Sequence, residues 1–342
     1  MKTAAIGDTL LLAGLIEDVR RAYPAAAVIL ITGRDNQGVA GLLPGGVDDH
    51  LVVSTGAPLS AVAAVRRAAL DIIVDFGSWP RFDALLTALS GARFRVGFRT
   101  AEQFRHYSLD RSVEHSNGLH ERENYARLLG AIGVESLAPP RIDPPCALSA
   151  ERYPAPPYAV FHAWSGGYMH EAKEWPESRW AELGRMAARR GWTVVLSGAG
   201  SDERKTEALK QSLRAAGVSA VNAAGAYTLA ELADVFAASE VVVSVNTGVM
   251  HLSALVGART VSLEGPTPTA RWGPLGQRTR AVVTTLPGCG YLNLGFEYAG
   301  ERSDCMDGIS VHAVESAIEA LTAIPSSPRR SSTPDDGNDP DQ

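Results

Sequence analysis

Residues 244–274 read SVNTGVMHLSALVGARTVSLEGPTPTARWGP, and their pattern decides the fold class. An apolar run over 240–245 leads into a helical pattern over 248–256, and a second apolar run follows at 260–263. Short apolar strands that alternate with helices are typical of a parallel sheet with both faces covered. The stretch therefore predicts one βαβ step of an α/β domain.

Asn246 and Thr247 stand where the first strand of this stretch passes into the helix. The free N–H groups and the dipole of a helix N-terminus suit a phosphate group at that position. His251 follows Thr247 by four residues and so lies on the same helix face. A second interpretation stays open, in which Thr247 is an ordinary N-cap and His251 is a packed core histidine.

The same alternation extends along the chain in both directions. Further strands are predicted at 2–6, 26–32, 50–54, 71–76, 94–98, 158–163, 193–197 and 220–223. Further helices are predicted at 9–23, 59–69, 82–89, 176–190, 202–216 and 229–238. A proline-rich stretch between them supports neither a helix nor a central strand. The predicted organisation is two doubly wound α/β domains, at 1–136 and 158–325, joined by a linker at 137–157. A disordered polar tail is predicted at 326–342.

Composition excludes several classes of protein. With 45% hydrophobic residues the chain can bury a large core, and no apolar run approaches the roughly 20 residues needed to cross a bilayer. A net charge of -6 argues against general nucleic-acid binding. Cys146, Cys289 and Cys305 show neither zinc-site spacing nor a framework of pairs, so we expect a reducing cytoplasm and no metal site.

The loop after the strand at 158–163 offers residues for an anionic ligand. Ser165 is followed by two glycines, which let a backbone approach a pyrophosphate, and Lys173 precedes the next helix. An ammonium group there can neutralise charge on a leaving phosphate. The alternative for Lys173 is a solvated loop lysine.

Asp8 occupies the comparable position in the first domain, between the first predicted strand and the first predicted helix. The helix dipole and the amide donors favour an ionised carboxylate at a helix N-terminus, which makes Asp8 a candidate base. The alternative is a helix cap, worth roughly 1 kcal/mol of stability.

An arginine-rich stretch, RFRVGFRTAEQFRHYSLDR at 93–111, is a candidate surface for an anionic acceptor. The residues proposed for that contact are Arg93, Arg95, Arg99 and Arg105. A solvated loop whose arginine stems pack on apolar neighbours is the alternative. A peripheral membrane contact follows only from the first interpretation.

Five blocks in the chain resemble glycosyltransferase family 9, the ADP-heptose:lipopolysaccharide heptosyltransferases. They are GDTLL at 7–11, HAWSGGYMHEAKEW at 162–175, VVLSGAGSDE at 194–203, VNTGVMHLSALVGARTVSLEGPT at 245–267 and ARWGP at 270–274. The resemblance implies a GT-B fold, in which two Rossmann-like domains face each other across a cleft. It also implies a metal-independent, inverting transfer without a cofactor. A heptose-type sugar would pass from ADP-heptose, or a related sugar nucleotide, to a hydroxyl of a glycan or lipid-linked acceptor such as lipopolysaccharide core.

Roles for individual residues also follow from the resemblance. Asp8 would deprotonate the acceptor hydroxyl as it attacks the anomeric carbon. Ser165 and Lys173 would hold the donor pyrophosphate, and Thr247 and Gly248 would bind its phosphates.

Other positions are supporting residues or departures from the family pattern. His251 would stand beside the phosphates, and Asp202 or Glu203 would reach the nucleotide ribose. Asn246 takes the place of the aspartate that the family usually has, and Glu264 takes the place of an aromatic or apolar residue. The donor sugar is therefore open.

Three alternatives remain at this stage. The acceptor can be another surface glycan or a natural product instead of lipopolysaccharide core. The second alternative is a protein that binds sugar nucleotides without catalysis, which Asn246 favours because it replaces the usual aspartate. An NAD-dependent oxidoreductase is suggested by Gly198 and Gly200, but Glu203 occupies the position of the third glycine of that fingerprint. For the transferase we expect a cytoplasmic location, peripheral to the inner membrane if the arginines contact it.

Overall fold

The computed structural model describes residues 1–294 and 302–323. The predicted disordered tail, 326–342, lies outside the described residues. The strands are β1 Ile29–Thr32, β2 Asp49–Val52, β3 Ile72–Asp75, β4 Phe94–Arg99, β5 Arg111–Glu114, β6 Tyr158–His162, β7 Thr193–Ser197, β8 Ala220–Asn222, β9 Val241–Val245, β10 Thr260–Glu264 and β11 Thr279–Val283.

The α-helices alternate with these strands. They are α1 Ile6–Leu10, α2 Leu15–Ala22, α3 Pro58–Arg67, α4 Arg81–Leu89, α5 Glu121–Gly130, α6 Glu177–Arg189, α7 Glu203–Ala215, α8 Leu229–Ala238, α9 Gly248–Leu255, α10 Thr269–Trp272 and α11 Val311–Thr322. Within the described part of the chain, no helix has the length and apolar content needed to cross a membrane.

The second domain is built on a six-stranded parallel sheet with the order β11-β10-β9-β6-β7-β8. Every residue of β6, β9 and β10 is buried, as expected for strands that helices cover on both faces. The strand order reverses between β6 and β9, and the crevice at the carboxyl ends of such neighbouring strands is where α/β proteins bind ligands. The predicted elements of this domain are therefore present.

The first domain has two parallel sheets, β1-β2 and β3-β4-β5, which the N-terminal residues join. The N–H group of Lys2 donates to the carbonyl of Ile31 at 2.9 Å, and that of Phe76 donates to the carbonyl of Met1 at 3.0 Å. Residues 1 and 2 thus lie between β1 and β3, and the combined order is that of a Rossmann sheet.

Two predictions for the N-terminal region are wrong. The strand over 2–6 shrinks to a bridge at Lys2, because the N–H and hydroxyl groups of Thr9 both donate to the carbonyl of Ala5 and start a helix there. The single helix over 9–23 is instead the pair α1 and α2. Gly14 separates them with a φ of 80°, and a side chain there would collide with the carbonyl of Pro139.

Five elements were not predicted: β5, α5, α10, β11 and α11. Strand β5 reads RSVE and is mostly exposed, so it lacks the apolar run that marks a buried strand. Helix α5 contains charged residues on the same stretch as buried ones, and its Glu121 is fully buried in an ion pair. The polarity of β5 and α5 hid them from a search by apolar periodicity. The other three elements follow β10, the last element predicted from the sequence.

The proline-rich segment 137–157 contains one 3-10 turn, Ala150–Arg152. Hydrogen bonds from its backbone N–H groups attach the segment to the second domain. The buried Asp234 carboxylate accepts the N–H groups of Cys146, Ala147 and Leu148 at 2.5–2.9 Å. The segment is therefore well anchored at its C-terminal half. The domain boundaries proposed from the sequence stay a prediction.

The expectation of unpaired cysteines is wrong for two of the three. Cys289 and Cys305 form a disulfide, with Cα atoms 5.8 Å apart, and Cys146 is free and exposed. The fold brings the two ends of a loop together, which the 16-residue separation in sequence does not reveal. The cysteines thus no longer argue for a reducing compartment.

The two domains meet through a pair of glycines at the start of α1 and α9. A Cβ atom added to Gly7 would lie 2.8 Å from Gly248 Cα and 3.0 Å from His251 Cδ2, and one added to Gly248 would lie 2.6 Å from Gly7 N. Only glycine at both positions allows the two backbones to approach this closely. The first turns of α1 and α9 are therefore held face to face.

A buried polar network forms a second contact between the domains. Arg271 Nη2 lies 3.0 Å from Glu121 Oε2, and both side chains are fully buried. His115 Nε2 approaches the same oxygen at 2.9 Å, and His120 Nε2 lies 3.0 Å from the carbonyl of Gly273. Removing one partner of a buried ion pair leaves an uncompensated charge, so this contact is sensitive to substitution.

We predict that Gly7→Ala lowers the free energy of unfolding by about 1–3 kcal/mol, because the new methyl group overlaps backbone atoms of the other domain that cannot rotate away. Chemical denaturation measures the change. Gly130→Ala is the matched control, since Gly130 is also helical and nothing lies within 4 Å of its added Cβ atom. Equal stability of the two variants would contradict the tight glycine contact.

Candidate functional site

The carboxyl ends of four neighbouring strands, β10, β9, β6 and β7, lie side by side at one edge of the six-stranded sheet. The predicted donor-binding residues follow β6 and β9, and the ribose candidates Asp202 and Glu203 follow β7. Strand β9 pairs with β10 on one side and with β6 on the other, and β6 pairs with β7. All these pairs are parallel, so their carboxyl ends share one edge. The loop after β6 carries Ser165 and Lys173, the end of β9 carries Asn246 and Thr247, and β10 ends at Glu264.

Thr247 begins α9 as its N-cap. Its side-chain oxygen accepts the N–H group of Val249 at 3.4 Å, and the following first turn starts at Gly248. Burial lowers the pKa of His251 to about 3, so its imidazole is neutral. Thr247 is therefore an N-cap and His251 is a packed histidine, as the second interpretation holds, and the phosphate site at this helix N-terminus stays a prediction.

Lys173 is a buried cation at this edge. Its side chain is 7% exposed, its ammonium donates to the carbonyl of Gly166 at 3.0 Å, and burial lowers its pKa to about 8. No carboxylate of the described residues lies within salt-bridge distance of it. The neighbouring Ser165 hydroxyl donates to the same carbonyl at 3.3 Å. A buried ammonium without a carboxylate favours the binding of an anion.

Asp8 lies on the opposite side of the cleft, in the first turn of α1. Its Oδ1 atom lies 2.9 Å from the ammonium of Lys2 and accepts the hydroxyl of Tyr125 at 3.3 Å. Its side chain is 22% exposed and lines a cavity of about 290 Å³ together with Trp272 of the second domain. The cap interpretation is not supported, because the N-cap of α1 is Ala5.

Asn246 and Glu264, the two departures from the family pattern, contact each other. The Asn246 amide donates to Glu264 Oε2 at 2.7 Å and to the carbonyl of Trp272 at 3.1 Å, and the Thr267 hydroxyl donates to the same carboxylate at 3.2 Å. Burial raises the pKa of Glu264 to about 7. The amide at the end of β9 and the carboxyl group at the end of β10 thus form one unit.

Of the two ribose candidates, Asp202 is already engaged. Its Oδ2 atom accepts the N–H group of Ala199 at 2.9 Å and closes the loop after β7. Glu203 is exposed at the start of α7. Both residues lie at the sheet edge described above, one strand beyond the loop that carries Lys173.

The structure does not bring the four predicted acceptor arginines together. Arg93 and Arg95 lie at the amino end of β4, away from the cleft, where they approach Asp71 and Asp110. Arg105 is buried against Asp75, with 2.6 Å between Nη2 and Oδ2. Of the predicted set, Arg99 alone is exposed at the carboxyl end of β4. The four arginines therefore do not share one surface, and a contact of Arg99 with an anionic acceptor stays a prediction.

Sequence reasoning missed several residues around Asp8. The cavity is also lined by Lys2, Trp79, Tyr168, Trp272 and Leu294, which come from both domains. Trp79 follows β3 and Tyr168 lies in the loop after β6, so the location of each at a carboxyl strand end was a usable signal. Lys2 gave no such signal, because it was assigned to a strand.

Among the residues that the structure describes, no group of three histidine, cysteine or acidic side chains forms a candidate metal site. The metal independence expected from the sequence stays a prediction.

The chain matches the model of glycosyltransferase family 9 (heptosyltransferase) over residues 63–289. It is 28% identical over 188 residues to lipopolysaccharide heptosyltransferase 1 of Pseudomonas aeruginosa, which covers 52% of this chain and 51% of that protein. It is 33% identical over 130 residues to lipopolysaccharide heptosyltransferase 1 of Salmonella typhimurium, covering 37% and 38%. The chain thus spans about half the length, or less, of the curated relatives it matches.

Solved structures confirm the GT-B fold. ADP-heptose LPS heptosyltransferase II of E. coli superposes with a TM-score of 0.73 at 20% identity, over 94% of this chain and 97% of that chain. The family 9 glycosyl transferase of Veillonella parvula gives 0.75 at 19% identity, over 94% and 95%. At such identities the likeness concerns the fold.

We predict that Glu264→Gln gains stability relative to the wild type as the pH rises. Burial raises the folded-state pKa of Glu264 from 4.5 to about 7. The stability that this shift gives the wild type is therefore fully present below about pH 4.5 and is lost as the pH rises through 7. The difference in unfolding free energy between variant and wild type should shift by roughly 3 kcal/mol from pH 4.5 to pH 8. Denaturation at both pH values, with the exposed Glu182→Gln as control, tests this. A constant difference would mean that Glu264 is ionised throughout.

Proposed function

Because the chain belongs to glycosyltransferase family 9 (heptosyltransferase), we propose that it moves a heptose-type sugar from ADP-heptose, or a related sugar nucleotide, to a hydroxyl of a glycan or glycolipid such as lipopolysaccharide core. The observation that carries the proposal is the pairing of two chemistries across one cleft. A buried cation and a helix N-terminus lie on one side, and the Asp8 carboxylate lies on the other. A sugar nucleotide bound between them would place its diphosphate at the cation and the helix N-terminus and its sugar next to Asp8.

The donor diphosphate binds at the edge formed by the loops after β6 and β9. Lys173 supplies a cation that has no carboxylate partner among the described residues, and the N–H groups after Thr247 supply donors aligned with the helix dipole. Ser165 adds a hydroxyl beside Lys173. Glu203 is the remaining candidate for the ribose, since the Asp202 carboxylate is engaged in its own loop.

Transfer proceeds by inversion at the anomeric carbon. The acceptor hydroxyl attacks that carbon, its proton passes to Asp8, and the bond to the diphosphate oxygen breaks with its electron pair staying on ADP. Lys173 and the α9 N-terminus stabilise the charge that develops on the leaving diphosphate, which is the role of a metal ion in other transferases. This division of roles supports a metal-independent reaction.

The acceptor enters from the side of the first domain, because Asp8 and Trp79 line the cavity there. We place the reaction in the cytoplasm, next to the membrane leaflet from which a lipid-linked acceptor is presented. Arg99, exposed at the carboxyl end of β4, is the one predicted arginine available for such a contact.

We expect Asp8→Asn to lower kcat by about 10²–10⁴-fold, because the amide cannot accept the proton of the acceptor hydroxyl. Transfer is followed as ADP release from ADP-heptose, and calorimetry should show unchanged affinity for ADP. Asp143→Asn, which removes an exposed carboxylate in the linker, is the control. An unchanged kcat in Asp8→Asn would remove this residue from the mechanism.

Lys173→Met is predicted to raise the Kd for ADP about tenfold or more, since a charge-assisted hydrogen bond to the diphosphate is lost. In the wild type, ADP affinity should fall above pH 8, where the free protein loses the Lys173 proton, and this pH dependence should vanish in the variant. Lys210→Met, which removes a partly buried ammonium paired with Glu207 on α7, is the matched control. Equal affinity of the variant and wild type would contradict the assignment.

A further inference from the structure

The cavity beside Asp8 has a composition that limits what can occupy it. Its volume of about 290 Å³ is at the lower end of ligand pockets, which suits one sugar ring better than a longer saccharide. Most of its lining side chains are aromatic, aliphatic or alanine. The residues that line it are Lys2, Ala4, Ala5, Asp8, Ser78, Trp79, Pro80, Tyr168, Trp272 and Leu294.

The charges in this cavity cancel. Of the described residues that line it, Lys2 is the one cation, and its ammonium is 2.9 Å from Asp8 Oδ1 and donates to the carbonyl of Phe76 at 3.3 Å. Arg105 and Arg271, the buried arginines of the described chain, are held by Asp75 and Glu121. Among the residues that the structure describes, no lining guanidinium or ammonium is therefore left to pair with an anionic group on the ring that reacts.

Two aromatic rings from opposite domains meet at the cavity. The centroids of Trp79 and Tyr168 are 6.5 Å apart, with 59° between the ring planes. Trp79 is 41% exposed and Tyr168 is 57% exposed, although large aromatic side chains are usually buried. Exposed aromatic surface beside a pocket marks a binding site, because it loses contact with water when a ligand covers it.

Aromatic faces and sugar rings are complementary. The C–H groups on one side of a pyranose ring present an apolar surface, whereas its hydroxyls point outward around the rim. A carboxylate on that ring would be buried next to the Asp8 carboxylate without a counter-ion, which is strongly unfavourable. The cavity therefore selects for an uncharged ring.

We propose that the acceptor presents an uncharged sugar ring to Asp8, and that Trp79 and Tyr168 hold this ring by stacking against its C–H faces. The proposal rests on the transferase function and names its acceptor class, a neutral saccharide end instead of an acidic one. Trp79 and Tyr168 are positioning residues for the acceptor, and because they belong to different domains the ring is bound by both.

The first test compares acceptors that carry either a neutral hydroxymethyl group or a charged carboxylate at C5 of the ring. Transfer from ADP-heptose is measured with the methyl glycosides of glucose, galactose and mannose. It is also measured with the methyl glycosides of the three matching uronic acids, whose carboxylates are free. We expect kcat/KM for a neutral glycoside to exceed that of its uronate by at least about tenfold. The proposal is overturned if the uronates react as well or better, or if neither series accelerates consumption of the donor.

The second test uses Trp79→Ala and Tyr168→Ala. Each should raise KM for the neutral glycoside roughly tenfold while kcat at saturation and ADP affinity stay close to wild type. Trp79→Phe, which keeps an aromatic face, should restore most of the affinity, and Leu59→Ala, an exposed apolar truncation on α3, is the control. An unchanged KM in both alanine variants overturns the role of the two rings.

The two proposals fail in different ways. Slow hydrolysis of ADP-heptose by water, together with ADP binding, reports the transferase function without any acceptor. If that hydrolysis and ADP binding persist while the neutral glycosides have no effect, the acceptor proposal fails and the transferase function stands. If neither ADP binding nor consumption of ADP-heptose is observed, the proposed transfer from ADP-heptose is itself wrong.

Discussion

The contact between Gly7 and Gly248 is the constraint on which the rest of the site depends. Two helix N-termini from different domains approach so closely that a Cβ atom on either glycine would overlap backbone of the other. This approach brings the carboxylate that follows Gly7 to the same cleft as the turn at Thr247 that we propose to bind the donor phosphates. A side chain at either position would separate the domains and move the proposed base away from the donor, because packed backbone cannot yield as a side chain can.

The two sides of the cleft differ in electrostatic character, and this difference organises the chemistry. On the proposed donor side, Lys173 is buried with no carboxylate partner in the described residues, and burial lowers its pKa to about 8. The charged ammonium is therefore unfavourable in the free protein, and binding of an anion would stabilise it. On the acceptor side, Lys2 and Asp8 neutralise each other at 2.9 Å. This difference supports the proposal that a diphosphate binds at the first side and an uncharged acceptor ring at the second.

The pair of Asn246 and Glu264 shows how two unusual residues can be consistent with each other. Each alone departs from the pattern of the family, yet the amide of one donates to the carboxyl group of the other at 2.7 Å. Glu264 is fully buried, and its raised pKa of about 7 reflects the cost of an ionised group there. The Asn246 amide uses both its donors on protein acceptors, which leaves its carbonyl oxygen as the group that can face a ligand.

By itself, the sequence determined the α/β class, the strands and helices of the second domain up to β10, and the loops at its carboxyl edge, because apolar periodicity and turn residues act locally. It failed where polarity hid an element, as in β5, and where Ala5 began a helix in place of a strand. The tertiary structure alone decided that Arg105 is buried against Asp75, that Cys289 bonds to Cys305, and that Trp79 and Tyr168 meet over the cavity. These are contacts between residues far apart in the chain, and their formation depends on how the domains pack, which no local pattern encodes.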